Sequence, residues 1–97
     1  MVYEDEGTIA FEDIHPQAPT HLLIVPKRHI ENLLGIDEEN KEQIAHLFSI
    51  IPSLARKRGI AEGGFRTVIN SGSGAGQTVF HLHIHLLGGR PFRWPPG

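Results

Sequence analysis

The chain has 97 residues, of which 39% are hydrophobic, and a formal net charge of -2 when its histidines are neutral. This length leaves no room for a second core, and the scattered basic residues give no electrostatic footprint for duplex nucleic acid. The chain has no cysteine, which excludes disulfides and thiolate zinc sites.

The first residues, MVYEDEGTIA, have neither the basic region nor the apolar region of a secretory signal. No apolar run approaches the length of a membrane span. We therefore expect one soluble cytoplasmic domain over residues 1–97 that does not associate with membranes.

The N-terminal part of the chain predicts strands. Alternation of apolar and polar side chains predicts a strand over 8–14, paired with the short VYED before Gly7. Two prolines within 15–20 indicate a turn. The apolar run over 21–26, which Pro26 stops, predicts a buried strand.

A long helix is predicted between Asp37 and Gly59, after a segment, KRHIENLLGI, that is compatible with a turn of helix and a loop. Asp37 suits the N-cap, and glycine is a common residue just past a helix end. Pro52 removes one backbone donor, so we expect a kink there. The apolar stripe at helical spacing consists of Ile44, Leu47, Phe48, Ile51, Leu54 and Ala55.

The C-terminal part predicts two further strands, over 65–70 and 78–87, joined by a glycine-rich loop over 71–76. The final residues, GGRPFRWPPG, are expected to be irregular. Several strands around one long helix, with hairpin-compatible links, predict an α+β fold.

The last predicted strand carries three of the seven histidines at alternate positions, His81, His83 and His85. Side chains two apart on a strand share one face. A buried face of imidazoles would need a partner for every ring nitrogen, so we expect this face toward solvent or a ligand. The opposite face is expected in the core and consists of Phe80, Leu82, Ile84 and Leu86.

Three imidazoles beside a glycine-rich loop suit chemistry at phosphorus. Glycines let backbone N–H groups approach a phosphate, and the loop delivers Gln77 and Thr78 beside the histidines. A neutral imidazole is a nucleophile near pH 7, and attack on phosphorus would give a phosphohistidine that water cleaves. A second, protonated imidazole could neutralise charge. Metal binding by the three histidines stays open, because imidazole suits zinc, copper and nickel.

The string HLHIHLL resembles the histidine-triad pattern, His-x-His-x-His-x-x with apolar x positions. The chain resembles the Hint branch of the histidine-triad (HIT) family in three segments, FEDIHPQAPTHLLIVPKRHI, VINSGSGAGQTVFHLHIHLLGGR and WPPG. The resemblance covers nearly the whole chain. It implies a five-stranded antiparallel sheet with one long and one short helix, extended across a homodimer.

The resemblance also implies an activity. Members of the Hint branch hydrolyse purine nucleoside phosphoramidates, such as adenosine monophosphoramidate, to the amine and the nucleoside monophosphate. By motif position, His83 would be the nucleophile that becomes nucleotidylated, and His85 would contact the phosphate. His81 would support His83, with His21 completing the supporting network, and no cofactor is required.

Further residues are implied to bind the substrate. Asp13 matches the carboxylate that binds the ribose hydroxyls, and Trp94 resembles a C-terminal aromatic that reaches toward the partner's site. The segment implied to hold the phosphate and leaving group supplies Asn70, Gly76, Gln77 and Thr78. The other histidines, His15, His29 and His46, have no role in the triad pattern and are expected to be surface or structural.

Hint-type proteins usually carry an additional N-terminal segment that contributes apolar side chains around the nucleobase. We expect a single HIT domain that lacks this segment, with Ile14 and Leu23 forming part of the base pocket. Two alternatives to the enzyme stay open at this point, a non-catalytic nucleotide-binding or scaffolding module and a three-histidine metal site.

Overall fold

A computed structural model describes residues 1–97, which form a five-stranded antiparallel sheet with helices against one of its faces. The strands lie in the order β1-β2-β3-β5-β4. This arrangement confirms the predicted five-stranded antiparallel sheet and the long helix. The elements are β1 (Tyr3–Glu4), β2 (Thr8–Glu12), β3 (Thr20–Pro26), α1 (Lys41–Ser49), α2 (Ile51–Lys57), β4 (Phe65–Val68) and β5 (Ile84–Gly88), with 3-10 helices at Leu33–Gly35 and Ser73–Ala75.

The predicted long helix is divided at Ile50 into α1 and α2. Pro52 lies in the first turn of α2 and has no N–H to donate to a carbonyl of α1, which is the cause of the bend. Phe48, a member of the predicted apolar stripe, is 44% exposed. The buried members of the stripe are Ile44, Leu47, Ile51, Leu54 and Ala55.

None of the helices combines the length and the apolar character that a membrane span requires.

The helix also begins later than predicted, with Asn40 rather than Asp37 as its N-cap. The Asp37 carboxylate accepts the N–H groups of Glu39 and Asn40, at 2.9 and 3.0 Å. Its carbonyl accepts the N–H of Lys41 at 3.0 Å. Asp37 therefore holds the turn that leads into α1.

The face of the sheet against the helices is the hydrophobic core. Gly88, the last residue of β5, faces Ile60 there, and a Cβ at Gly88 would lie 2.7–2.8 Å from side-chain atoms of Ile60. Strand and helix residues form one buried cluster, which includes Ala10, Leu22, Ile24, Leu47, Leu54, Ile84 and Leu86.

The opposite face carries a row of side chains in register across four strands. Phe11 pairs with Leu23, Leu23 pairs with His85, and His85 pairs with Val68. All four are half-buried, because no helix covers this face. The predicted separation of an apolar face from a histidine face is therefore confirmed for β5.

The histidine strand is shorter than predicted, since β5 begins at Ile84 rather than at residue 78. Continuing the register of β3 and β5 would place Leu82 opposite Pro26, which has no N–H to donate. Leu82 instead donates its N–H to the carbonyl of Ile30, at 2.6 Å. Leu82 is buried as predicted, but Phe80 is 48% exposed, so its assignment to the core is wrong.

Candidate active site

A cavity of about 610 Å³ opens on the histidine face of the sheet. Its walls come from β2 and the turn that follows it, from β3, and from residues 78–85. The cavity thus gathers the three triad histidines with four of the predicted substrate residues. The lining residues are Phe11, Glu12, Asp13, Ile14, His15, Leu23, Val25, Thr78, Val79, His81, His83 and His85.

His83 is held by the main chain. Its Nδ1 lies 2.7 Å from the backbone carbonyl oxygen of His81. A carbonyl oxygen only accepts hydrogen bonds, so Nδ1 of His83 carries the proton and Nε2 carries the lone pair. The neutral ring therefore presents an unprotonated Nε2, which has no hydrogen-bond partner in the protein.

His85 is held by the side chain of His21. The backbone N–H of Gln17 donates to Nδ1 of His21 at 3.0 Å, so the neutral His21 ring carries its proton on Nε2. That Nε2 lies 2.9 Å from Nδ1 of His85 and 3.4 Å from Oδ2 of Asp13. Donation to Nδ1 leaves His85 with an N–H at Nε2. His21 thus orients His85.

Burial lowers the pKa of His21 below its ordinary value of 6.5, against the opposing effect of the Asp13 carboxylate. The pKa of His85 is also lowered, mainly by burial and to a smaller extent by the neighbouring His83 and His21 rings. The Asp13 carboxylate again opposes the shift. Both rings are therefore neutral near pH 7. His85 then presents the N–H at its Nε2 as a hydrogen-bond donor.

These lowered pKa values predict that the protein loses stability on mild acidification. The unfolded chain binds protons at His21 and His85 near pH 6.5, whereas the folded chain binds them only at lower pH. The contribution of the two neutral rings to the free energy of unfolding should therefore be complete above about pH 6.5 and should decrease as the pH falls below that value. Urea unfolding at several pH values around that point measures the change. The free energy of unfolding should fall less steeply with decreasing pH in His21→Gln than in His15→Gln. Equal pH dependence in the two variants would contradict the assignment.

Gln77 lies beneath the glycine-rich loop rather than in the cavity wall, and it is 2% exposed. Its Oε1 accepts the N–H of Gly72 at 2.8 Å, and its Nε2 donates to the carbonyls of Glu31 and Val79 at 2.7 and 3.1 Å. Since both ends of the amide are engaged with backbone, Gln77 holds the loop in place. Thr78, the next residue, does line the cavity.

Three other predicted residues lie outside the cavity walls. Asn70 is half-buried and follows β4 by two residues, beyond Val68. Gly76 ends the 3-10 helix of the loop with φ of +99°, and its N–H already donates to the carbonyl of Ser73. Trp94 is 83% exposed in the C-terminal segment.

His29, which is expected from the sequence to be surface or structural, lies beside the His81 ring. The two Nδ1 atoms lie 3.4 Å apart, with the ring planes at 77°. Nε2 of His81 lies 2.7 Å from the carbonyl oxygen of Pro26 and therefore carries the proton. The segment around His29 has no alternation or helical spacing, so no local pattern predicts this contact.

The three triad histidines do not form a group of converging ligand atoms. The potential ligand atoms that do converge belong to Asp13, His21 and His85, all within 4.8 Å of one another. Nε2 of His21, however, keeps its proton while Nδ1 accepts the Gln17 N–H. A metal at that nitrogen would require an anionic imidazole or the loss of this hydrogen bond, so the group does not fit an ion as it stands.

The chain matches the HIT domain family over residues 1–92. An uncharacterized HIT-like protein of Synechococcus elongatus is 52% identical over 97 residues, which cover 100% of this chain and 84% of that protein. The 14 kDa zinc-binding protein of Zea mays is 46% identical over 99 residues, with 100% of this chain and 77% of that protein covered.

Solved structures agree in fold. A HIT family hydrolase from Legionella pneumophila has a TM-score of 0.95 at 49% identity, covering 99% of this chain and 86% of that chain. A histidine triad nucleotide-binding protein from Candida albicans has a TM-score of 0.79 at 28% identity, and the match covers 99% of this chain and 73% of that chain. The five-stranded sheet with one bent helix is thus a HIT-like fold, and the chain belongs to the HIT domain family.

Proposed function

We propose that the protein hydrolyses the P–N bond of purine nucleoside 5'-phosphoramidates through a covalent nucleotidyl-His83 intermediate, as in the Hint branch. Family membership and the likeness to a HIT family hydrolase and to a histidine triad nucleotide-binding protein support a hydrolase that acts on nucleotides. The observation that carries the proposal is the tautomer of His83. Its Nδ1–H donates to the His81 carbonyl, which leaves Nε2 unprotonated on a ring that lines the cavity.

The reaction has two steps. In the first, the lone pair of His83 Nε2 forms a bond to phosphorus, the P–N bond of the substrate breaks, and the departing nitrogen takes up a proton from solvent. In the second, a water oxygen bonds to phosphorus and releases a proton to solvent, the bond to His83 breaks, and the ring returns to its neutral form. His85 lies beside the nucleophile, with ring centroids 4.9 Å apart, and its Nε2–H stabilises charge on a non-bridging oxygen.

The remaining cavity residues suit the nucleoside. The Asp13 carboxylate accepts the N–H of His15 at 2.8 Å through Oδ1, which leaves lone pairs for the ribose hydroxyls. Four apolar side chains of the walls offer a surface for the purine base. They are Phe11, Ile14, Leu23 and Val25.

The other substrate residues take more distant roles in this proposal. Thr78 carries a hydroxyl for the phosphate, and Gln77 positions Thr78 by bracing the loop. The assignment of Asn70 and Gly76 to the phosphate side stays a prediction, because both lie outside the cavity walls. The homodimer stays a prediction, with Trp94 reaching the site of the second protomer.

Trapping the intermediate tests the proposal. The protein is mixed with adenosine 5'-phosphoramidate and quenched in alkaline denaturant, because P–N bonds are acid-labile, and its peptides are analysed by fragment mass spectrometry. We expect one adenylyl group on His83 and none in His83→Asn. Turnover with the adenylyl group on His85, or with no adduct at all, would contradict a His83 nucleophile. Nucleotide binding without turnover would favour the non-catalytic module.

A further inference from the structure

A second cavity, of about 590 Å³, lies beside the row of side chains that contains His85, and we call it the arginine cavity. Val68 is one of its walls, and Val68 is also the partner of His85 in the pairing of β4 with β5. Neighbouring strands are about 4.7–4.9 Å apart, so the arginine cavity begins one strand beyond His85. The first cavity has its apolar walls on β2 and β3, and the two cavities therefore lie on opposite sides of β5.

Three arginines line the arginine cavity, Arg66, Arg90 and Arg93, and its walls include no aspartate or glutamate. They are a third of the nine Lys and Arg residues in a chain whose net charge is -2. None of the three forms an ion pair with a carboxylate of the protein. The arginine cavity therefore carries a concentrated positive charge that the protein does not neutralise, and such a site attracts anions.

Two of the guanidinium groups are held in place by one aromatic ring and by the main chain. Cζ of Arg66 and Cζ of Arg90 lie over the Phe92 ring, at 5.2 and 4.3 Å from its centroid, and the ring face attracts both cations. Arg66 donates one N–H to the carbonyl of Arg93 at 3.0 Å, and Arg90 donates two to backbone carbonyls at 2.9 Å each. A guanidinium has further N–H groups in the same plane, so both side chains keep donors for a planar oxyanion.

Gln17 connects the arginine cavity to the hydrogen bonds of the triad. Its carbonyl accepts the Nε–H of Arg90 at 2.9 Å, and its N–H donates to Nδ1 of His21 at 3.0 Å. His21 in turn orients His85 through the 2.9 Å contact between their rings. The position of the Arg90 guanidinium is therefore fixed relative to His85.

We propose that the arginine cavity binds a carboxylate on the leaving amine, so that the protein prefers phosphoramidates whose amine carries a negative charge several atoms from the scissile nitrogen. This inference rests on the proposed function, in which the nucleoside occupies the walls from β2 and β3. The amine is a different substituent of the phosphorus, and the direction left to it leads across β5 toward Val68. A carboxylate suits this site because its two oxygens match the paired N–H groups of a guanidinium.

A matched pair of probes tests the inference by binding alone. The adenosine 5'-phosphoramidates of 4-aminobutyrate and of 4-aminobutyramide have nearly the same size and differ in one negative charge. Each probe is titrated calorimetrically into His83→Asn, which lacks the proposed nucleophile. The carboxylate probe should bind about tenfold more tightly than the amide probe. Adding Arg66→Gln or Arg93→Gln to this protein should reduce the ratio of the two affinities toward one.

Arg56→Gln is the matched control, because Arg56 is exposed on α2, lies outside the arginine cavity and also has no carboxylate partner. It should leave the ratio of the two affinities unchanged. Two arginine variants are used because Arg66 also donates to the main chain, whereas the Arg93 side chain has no hydrogen bond within the protein. Far-UV circular dichroism verifies that each variant is folded.

Hydrolysis of the same probes by the wild type separates this inference from the proposed function. A tighter carboxylate probe that is not hydrolysed would support the arginine cavity and reject the phosphoramidase. Hydrolysis of both probes, with equal affinities and equal kcat/KM, would support the phosphoramidase and overturn the carboxylate site. A preference that survives in both arginine variants would also overturn it, because the charge would then be recognised elsewhere. Failure of both probes to bind would overturn both proposals.

Discussion

Replacement of His83 by alanine is expected to reduce turnover of an adenosine 5'-phosphoramidate by at least about 10³-fold. His83 is the triad residue whose unprotonated nitrogen is free of a protein contact. The corresponding lone pair of His85 accepts a hydrogen bond from His21, and that of His81 faces His29. No neighbouring ring is therefore placed to take over as the nucleophile. Steady-state rates, with nucleoside monophosphate affinity measured in parallel, give the loss.

The control for this variant is His46→Ala, since His46 is exposed on α1 and lies outside the cavity. Its turnover should stay near that of the wild type. The wild type and both variants are assayed with and without EDTA. The turnover of the wild type should be unchanged by the chelator. Residual turnover of one tenth or more in His83→Ala would rule out covalent catalysis by this residue, whereas a rate lost to EDTA would assign the chemistry to a metal.

Substitution of Gly88 by alanine is expected to lower the free energy of unfolding by about 1–3 kcal/mol, the usual cost of overpacking a core. The new Cβ would lie 2.7–2.8 Å from three side-chain atoms of Ile60. Ile60 is 4% exposed and belongs to the core cluster, so its branched side chain has little space to move away. Gly88 also pairs with Thr20 and Phe65, which restrains the backbone from both sides. Urea denaturation measures the change.

Gly63→Ala is the matched control, because a Cβ at Gly63 would meet nothing within 4 Å. This substitution should be neutral or slightly stabilising, since alanine restricts the unfolded chain more than glycine does. The combination of Gly88→Ala with Ile60→Val should recover part of the lost stability. Equal stability of Gly88→Ala and the wild type would show that Ile60 is not tightly packed.

Side-chain periodicity predicted most of the fold, because a strand or helix that buries one face must repeat its apolar residues at the spacing of that face. Leu82, Ile84 and Leu86 are buried and the histidines between them are not, as the alternation requires. The start of β5 was mispredicted because it depends on a non-local partner. Pro26, far away in sequence, cannot extend the ladder to Leu82, and single-sequence alternation contains no information about that pairing.

The site was predicted less completely than the fold. Asp13, Leu23 and Thr78 lie with the triad histidines around one cavity, in agreement with the motif positions. Which histidine orients which depends on hydrogen bonds between distant segments, such as the 2.9 Å contact of His21 with His85. The place of His29 beside His81 likewise depends on the loop after β3, so no local pattern indicated it.

The backbone contact of His83 has a consequence for mutational studies. The acceptor for its Nδ1–H belongs to the peptide unit of residue 81, and every amino acid at that position supplies the same oxygen. Codon changes at position 81 therefore leave the protonation pattern of the nucleophile intact, provided that the local backbone path is preserved. A saturation library at this position would report on the imidazole ring alone, and only chemical synthesis that alters the peptide unit itself could separate the nucleophile from its acceptor.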